Sequence, residues 1–174
     1  MKLTEILNLV SASSGKSIPA ELFNNLLKQV HFEMLDAYCN VYAEEHKKVM
    51  DAIKGYVKQF YTGDNLPTDY YTWLSINTRS GRRVDMQTYQ EYADNRASYI
   101  QPPSNSYPVA VLIGDKIIVD PPMICILNYV SKNNYPEVRV KNNKGYIEID
   151  STQELLWGES VHQEFVNRLI EKLK

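Results

Sequence analysis

The sequence has few cysteines and no long apolar run, and both absences restrict what the chain does. Its 174 residues include two cysteines, Cys39 and Cys125, which are too few for a disulfide framework. Both lie among apolar residues, so we predict buried free thiols. No apolar run approaches the roughly 20 residues that cross a bilayer, and the first residues lack the charged and apolar regions of a signal peptide. The sequence therefore predicts a soluble protein with no membrane partner, made in a reducing cytoplasm.

Positive charge is not in excess. The chain has 19 Lys and Arg residues against 21 Asp and Glu residues, which gives a net charge of −2. Dedicated nucleic-acid-binding proteins gain affinity by neutralising phosphates with Lys and Arg. The charge balance argues against this class, although it leaves room for a local basic patch.

Motifs that carry catalysis or hold cofactors are also missing. The sequence contains no GxSxG elbow, no P-loop and no GxGxxG fingerprint. Its three histidines, His31, His46 and His162, lack the spacing of a zinc site. We predict no enzymatic activity, no metal and no cofactor, and we interpret His162 as a capping or surface residue at the start of the last helix.

Tyrosine is the abundant aromatic residue, with 13 tyrosines against four phenylalanines. A tyrosine side chain combines a large apolar body with a polar tip, which suits half-hydrated surfaces and interfaces. Ordinary packing at the edge of a core and strand propensity explain the same composition.

The N-terminal third predicts helices. Apolar residues recur at helical spacing from Leu3 to Val10, and Pro19 with Glu21 marks the start of a second helix that runs to about Ala43. A third apolar stripe extends from residue 49 to residue 60. No clear turn residue separates the second and third segments, so we expect a helical hairpin or one long bent helix and favour the continuous form.

The remainder predicts a small, mainly antiparallel sheet. Residues 62–69 combine Gly, Asp, Asn and Pro and break the helical pattern. The predicted elements that follow are a strand at 70–77, a helix at 88–95, a hairpin at 109–119 around Gly114, a central strand at 124–130, a second hairpin at 137–149 and a helix from about 160. We therefore predict an α+β chain with a helical region at 1–61 and a β-rich region at 62–174. The closing helix is expected to pack on the sheet, and the two regions to form one compact domain.

Two basic clusters are candidate contact sites. Arg79, Arg82 and Arg83 lie on a turn between β-like segments. The second cluster lies on or beside the second hairpin and comprises Lys132, Arg139, Lys141 and Lys144. Such loops contact phosphates, meet an acidic patch on a protein partner, or simply face solvent, and the sequence leaves the three alternatives open.

Three aromatic residues are candidate anchors. Tyr135 and Tyr146 are interleaved with the second basic cluster, and Trp157 opens the segment WGESVH between the sheet and the last helix. We expect these residues to act as core anchors or as contacts between subunits.

The order of these segments resembles a family of head–tail connector proteins, also called neck ring or adaptor proteins, of tailed phages and prophages of Bacteroidetes hosts, including crAss-like phages. The resemblance is carried by LTEIL at 3–7 with GKSIPAELFNNLLKQV at 15–30, by YQEYADNR at 89–96 with PP at 102–103, YPVAV at 107–111 and GDKI at 114–117, and by the segment from Glu148 that ends in LLWGESVH at 155–162. Family members often have a proline where Gly158 stands, and many continue well past the final helix.

The resemblance implies a structural protein of the virion neck, made in the cytoplasm of the host bacterium. The expected partners are further copies of the chain in a ring, expected to be a dodecamer, the portal protein, and the tail or the next connector ring. DNA would pass through the channel without sequence-specific binding. The alternative from the residues is a small nucleic-acid-binding or regulatory domain that uses the basic loops.

Overall fold

The computed structural model describes residues 1–15, 17–133, 135–143, 146–149 and 153–174, with backbone only for 140–143 and 146–149. The chain is α+β, with N-terminal helices, a curled mixed sheet of six strands and a C-terminal helix, so the predicted fold class is confirmed. It divides into two compact units. The helical unit contains Met1–Tyr56 and Asn133–Lys174, and the sheet unit contains Val57–Lys132.

The helical unit is built from α-helices and a hairpin. Helix α1 spans Leu3–Ser14, α2 spans Ala20–Asn40, α3 spans His46–Ile53, and α5 spans His162–Lys172. Short 3₁₀ turns at Lys54–Tyr56 and Glu159–Val161 follow α3 and precede α5. Strands β7 (Val140–Asn143) and β8 (Tyr146–Ile149) form an antiparallel pair, so the second predicted hairpin is present but begins later than expected.

Helices α1 and α2 begin near the residues that the sequence predicts, and each buries an apolar face. Leu3, Ile6, Leu7 and Val10 form the buried face of α1, and Gly15, at φ 65°, provides the left-handed residue that ends it. Pro19 lies immediately before α2, where its missing N–H costs no helical hydrogen bond. The buried face of α2 comprises Phe23, Leu27, Val30, His31, Met34, Leu35 and Tyr38.

Helix α5 packs against α1 and α2, which corrects the expectation that it lies on the sheet. Its buried residues, Phe165, Val166 and Leu169, recur at helical spacing and match the apolar stripes of the two N-terminal helices. Two polar contacts join α2 to α5: Tyr38 Oη donates to Glu164 Oε2 at 2.8 Å, and Lys172 pairs with Glu33 at 2.6 Å. The division of the chain therefore differs from the predicted boundary at residue 61.

The preference for a continuous second and third helix is wrong. Residues 41–45 form a turn between α2 and α3, in which the Val41 carbonyl accepts from the backbone N–H of Glu44 and of Glu45. Helix α3 ends at Ile53, and residues 57–60, expected to be helical, belong to strand β1. Pairing with a neighbouring strand overrides the helical spacing of this β-branched and aromatic segment.

The sheet unit contains six strands in the order β1-β6-β2-β3-β4-β5. Their bounds are Val57–Tyr61 for β1, Tyr70–Thr78 for β2, Arg83–Gln87 for β3, Val109–Ile113 for β4, Lys116–Asp120 for β5 and Cys125–Ser131 for β6. The β3–β4 pair is parallel and the other pairs are antiparallel. The mainly antiparallel sheet, the β4–β5 hairpin and the interior position of β6 match the predictions.

The core of the sheet unit lies on one face of the strands. It contains Ile76, Val84, Ala110, Ile117, Leu127 and Tyr129. Helix α4, at Tyr89–Ala97, begins in a capping box in which Thr88 and Glu91 satisfy each other's backbone N–H groups. Its Tyr92 packs on Val109 and Val111 of β4. The long connection from α4 to β4, residues 98–108, runs beside β3, where the Asp85 N–H donates to the Pro108 carbonyl.

Within the described ranges, no helix combines the length and apolarity required to cross a membrane.

Candidate functional site

Trp157 is the centre of an aromatic cluster in the helical unit. It is 2% exposed, and its ring lies at 5.5 Å from Tyr56, 5.7 Å from Tyr38, 5.8 Å from His31 and 6.3 Å from Phe165. The edge-to-face arrangement of the first three pairs is the favourable one for aromatic rings. Trp157 is therefore a core anchor in this chain, which is one of the two roles predicted for it.

His31 supplies the hydrogen-bond partner that a buried tryptophan requires. Trp157 Nε1 donates to His31 Nδ1 at 3.2 Å, which places the proton of the neutral imidazole on Nε2. His31 is fully buried, and this burial lowers its pKa from 6.5 to about 4. The side chain is neutral at physiological pH and serves as an acceptor within the core.

His162 holds the start of α5 through a contact other than the capping role interpreted from the sequence, because its side chain bonds a carbonyl before the helix and no side chain caps the helical N–H groups. Its Nε2 donates to the Trp157 carbonyl at 2.8 Å, so the imidazole ties the first residue of the helix to the segment before it. A second hydrogen bond joins this segment to the end of α3, because the Gly158 N–H donates to the Ala52 carbonyl at 2.8 Å.

A buried carboxylate organises one edge of the sheet unit. Asp69 accepts from Lys58 Nζ at 2.5 Å, Ser131 Oγ at 2.8 Å and Tyr129 Oη at 3.0 Å. The Lys58 hydrogen bond is the largest cause that lowers the pKa of Asp69 to about 2, and burial together with Asp69 raises the pKa of Tyr129 to about 12. Because these donors satisfy the carboxylate, its evident role is structural.

The first basic cluster does not form one surface. Arg82 Nη1 donates to the Asn105 carbonyl at 2.6 Å, so this guanidinium braces the 98–108 loop. Arg79 and Arg83 are exposed but line different depressions, Arg79 beside Tyr61 and Arg83 beside β3 and the loop. The turn itself is as predicted, with Gly81 at φ 85°.

The second basic cluster is divided between the two units. Lys132 is exposed at the end of the sheet unit, where its N–H donates to the Asp69 carbonyl at 2.8 Å. Arg139 is exposed in the helical unit. Lys141 lies in β7 and Tyr146 in β8, whose side chains are outside what the structure describes, and Lys144 lies outside the described residues altogether. Tyr135 is half-buried, with Lys28 Nζ 5.2 Å from its ring centroid.

The 98–108 loop is the feature that sequence reasoning missed. Tyr99 and Ile100 are 102% and 97% exposed, and Tyr107 is 65% exposed. Tyr99 and Ile100 are neighbours in the chain, and adjacent exposed apolar side chains are the kind of surface that marks interaction sites in proteins. The signal in the sequence is an apolar pair followed by Pro102 and Pro103, a pattern that by itself indicates only irregular structure.

A cavity of about 390 Å³ lies between this loop and strand β3. Alternate residues of the strand, Arg83, Asp85 and Gln87, form one wall of what we name the β3 cavity. The loop contributes the opposite wall, which includes Gln101, Pro102, Pro103, Ser106, Tyr107 and Pro108. The candidate functional site is this cavity, which the exposed Tyr107 lines, together with the exposed side chains of the 98–108 loop.

Across the described parts of the chain, no three His, Cys, Asp or Glu side chains lie in an arrangement that would hold a metal ion. No protein-family model matches the sequence, and no curated protein matches it either.

Proposed function

We propose that the chain is a structural protein of a phage virion, a head–tail connector or adaptor subunit that links the portal to the tail around the DNA channel. The observation that carries the proposal is the ordered likeness of the segments at 3–30, 89–117 and 148–162 to that family. The role is binding without turnover, at the neck of the particle.

The surface of the sheet unit supports a role in protein contacts. Three large side chains, Tyr99, Ile100 and Tyr107, are exposed on one loop that hydrogen bonds hold in place. Tyrosine is enriched at the centre of protein interfaces, where its ring is buried and its hydroxyl finds a partner. A ring of identical subunits requires a surface on each copy that meets a different surface on the next, and an ordered apolar projection is suitable for one side of such a contact.

Cryo-electron microscopy of the phage particle that encodes the chain tests this proposal. We expect density for the chain as a closed ring, of twelve copies by the family likeness, between portal and tail. The chain located elsewhere in the particle, or missing from purified virions by mass spectrometry, would contradict the proposed role.

A second candidate function is nucleic-acid binding by the basic loops. The specific observation in its favour is that Arg79 and Arg83 are exposed at the two ends of the connection between β2 and β3, with the exposed Tyr107 ring on the cavity that Arg83 lines. Aromatic rings stack on bases while arginines contact phosphates. The salt dependence of DNA binding separates this function from the connector role.

A further inference from the structure

The face of β3 that is turned away from the core forms a polar wall of the β3 cavity. Val84 and Met86 pack in the core of the sheet unit. Arg83, Asp85 and Gln87 alternate with these two residues, so they lie on the other face, where they line the cavity. Successive side chains on one face of a strand stand about 7 Å apart. The wall therefore presents a row of planar polar groups, at a spacing similar to the width of a sugar ring with its hydroxyl groups.

The charges on this wall balance, which selects a neutral ligand. Arg83 is the one cationic residue and Asp85 the one anionic residue of the cavity lining, and both are exposed. The Arg83 guanidinium makes no hydrogen bond or ion pair with any described residue. A phosphate on this wall would be repelled by Asp85, and an ammonium group by Arg83. A hydroxyl group both donates and accepts, so the hydroxyls of a neutral sugar bond the guanidinium and the carboxylate alike.

Uncharged polar side chains complete the lining. Asn95 contributes from the end of α4, and Gln101 and Ser106 contribute from the 98–108 loop. These three side chains make no hydrogen bond with any other described residue, so their donors and acceptors remain open to a ligand. Pockets for drug-like molecules are mostly apolar with a few polar groups. A lining this rich in amides, hydroxyls and balanced charge suits a hydrophilic ligand instead.

Tyr107 adds the aromatic surface on which a sugar ring can pack. Its side chain is 65% exposed and lines the cavity. The face of an aromatic ring is negative, so it attracts the polarised C–H groups on one face of a pyranose. The loop is held at this point, because the Tyr107 N–H donates to the Ser104 carbonyl at 2.9 Å and Arg82 holds the Asn105 carbonyl. A surface that is ordered before binding loses less conformational entropy when a ligand arrives.

We propose that the β3 cavity binds a sugar residue of a neutral carbohydrate. The hydroxyl groups of the sugar bond the Arg83 guanidinium and the Asp85 carboxylate, and the C–H face of its ring packs on Tyr107. The cavity, at about 390 Å³, is near the lower limit for ligand pockets, which fits one or two sugar rings rather than a long oligosaccharide. The proposal goes beyond the connector role and does not depend on it, since binding is measured on the isolated chain.

A sugar titration followed by NMR tests the proposal. The probes are the methyl glycosides of glucose, galactose, mannose and N-acetylglucosamine, each added to the ¹⁵N-labelled full chain. We expect at least one of them to shift the side-chain amides of Asn95 and Gln101 and the backbone signal of Tyr107, with a dissociation constant of about 1 mM. Sorbitol, an acyclic polyol, should bind roughly tenfold more weakly, because it has no rigid ring face and loses more conformational entropy. The affinity for the glycoside should be the same at roughly 20 and 500 mM sodium chloride, since the ligand carries no charge.

Variants of the chain assign the binding to the two walls of the cavity. Asp85→Asn should weaken the glycoside roughly tenfold, because it removes a charge-assisted hydrogen bond. Tyr107→Ser should weaken it by a similar factor, because it removes the aromatic surface. Asp115→Asn, at the exposed tip of the β4–β5 hairpin, is the matched control for the carboxylate and should leave the affinity unchanged. Tyr89→Ser is the matched control for the ring, since Tyr89 is 67% exposed and does not line the cavity.

Four outcomes would overturn the proposal. Absence of shifts at these residues with each glycoside at about 100 mM would show that the cavity does not bind sugars. Sorbitol that binds as tightly as the glycosides would show that no sugar ring is recognised. Inorganic phosphate or free lysine that shifts the same signals while the glycosides do not would assign the cavity to an ion. An equal loss of affinity in Tyr89→Ser and Tyr107→Ser would place the binding outside the cavity.

Discussion

At the scale of single residues, Trp157 and His31 depend on each other. The indole needs an acceptor when buried, and His31 Nδ1 provides it at 3.2 Å from the helix on the other side of the cluster. The imidazole in turn is surrounded by the rings of Phe32, Tyr56 and Trp157, at centroid distances of 5.0, 4.8 and 5.8 Å. A polar contact inside an aromatic cluster specifies one arrangement of the helices in a way that apolar packing alone does not.

Replacement of Trp157 by alanine should destabilise the chain by about 3–5 kcal/mol, because it removes a large buried side chain and leaves the His31 acceptor without a donor. Urea unfolding followed by circular dichroism measures the change. The chain has one other tryptophan, Trp73, which is 37% exposed in β2 and provides the matched control. Trp73→Ala should cost about 1 kcal/mol, as partly exposed positions usually do. A cost below about 1 kcal/mol for Trp157→Ala would contradict the core role and point to an anchor between subunits.

The buried imidazole also predicts a pH dependence of stability. Its pKa is about 4 in the folded chain and 6.5 when solvated, so the unfolded chain takes up a proton first as the pH falls. Stability is therefore fully present above pH 6.5 and declines as the pH drops from 6.5 to about 4, by up to about 3 kcal/mol. Urea unfolding at a series of pH values measures the slope.

The control for this pH dependence is a variant that keeps an acceptor near the Nδ1 position without a titratable group. His31→Asn should show a smaller loss of stability across this pH range than the parent chain. His46→Asn, at an exposed histidine, should leave the slope unchanged. An unchanged slope in His31→Asn would show that another group causes the acid sensitivity.

At the scale of elements, the segment before α5 is fitted closely to the end of α3. The Gly158 N–H donates to the Ala52 carbonyl, and a Cβ at position 158 would lie 2.1 Å from the Asp51 carbonyl oxygen. Backbone meets backbone here, so no flexible side chain is available to move aside. Only glycine allows this approach, which explains why the joint between the two elements contains one.

Gly158→Ala should therefore cost about 3 kcal/mol, because the two backbone segments must separate and the Ala52 hydrogen bond lengthens. Gly114→Ala is the comparison: position 114 has open space but a φ of 62°, so the substitution costs about 1 kcal/mol through backbone conformation alone. Chemical denaturation measures both variants. Gly158→Pro should cost at least as much as Gly158→Ala, since proline fits the φ of −59° but adds the same Cβ and also removes the N–H donor. Costs that are equal for the two alanine variants would contradict the close approach.

The elements that the sequence predicted are those whose signal is local. The stripe from Leu3 to Val10, the proline before α2 and the Gly114 hairpin each act over a few residues, and the structure has α1, α2 and the β4–β5 pair where these signals place them. The predictions that were wrong concern structure without a local signal in the sequence. Residues 57–60 pair with β6, about 70 positions away, and the turn at residues 41–45 contains no glycine or proline. The β3 cavity is formed by a strand and a loop that spacing along the chain does not connect.

At the scale of the whole molecule, the distribution of positive charge bears on the choice between connector and nucleic-acid-binding protein. The sequence carries a net charge of −2, and its predicted basic residues are divided between the two units. Arg82 already holds a backbone carbonyl, and Arg79 and Arg83 line different depressions. A surface that follows a phosphate backbone requires several cations in one row.

Duplex DNA should consequently bind weakly and with a shallow salt dependence. If Arg79 and Arg83 alone contact phosphates, the slope of log K against log salt is about −2, since each neutralised phosphate contributes about −0.9. Fluorescence anisotropy with a labelled duplex of about 20 base pairs, titrated at roughly 20 to 200 mM salt, measures the affinity and the slope.

Two double variants provide the control. The first replaces Arg79 and Arg83 by alanine, and the second replaces Lys47 and Lys48, an exposed pair in α3, so that both remove the same net charge. The connector proposal expects both double variants to weaken binding equally, because only net charge matters to a chain that lets DNA pass. A slope of about −6 or steeper in the parent chain, which becomes shallower by about 2 in the arginine variant and stays unchanged in the lysine variant, would instead establish a dedicated DNA-binding surface that includes the β2–β3 turn.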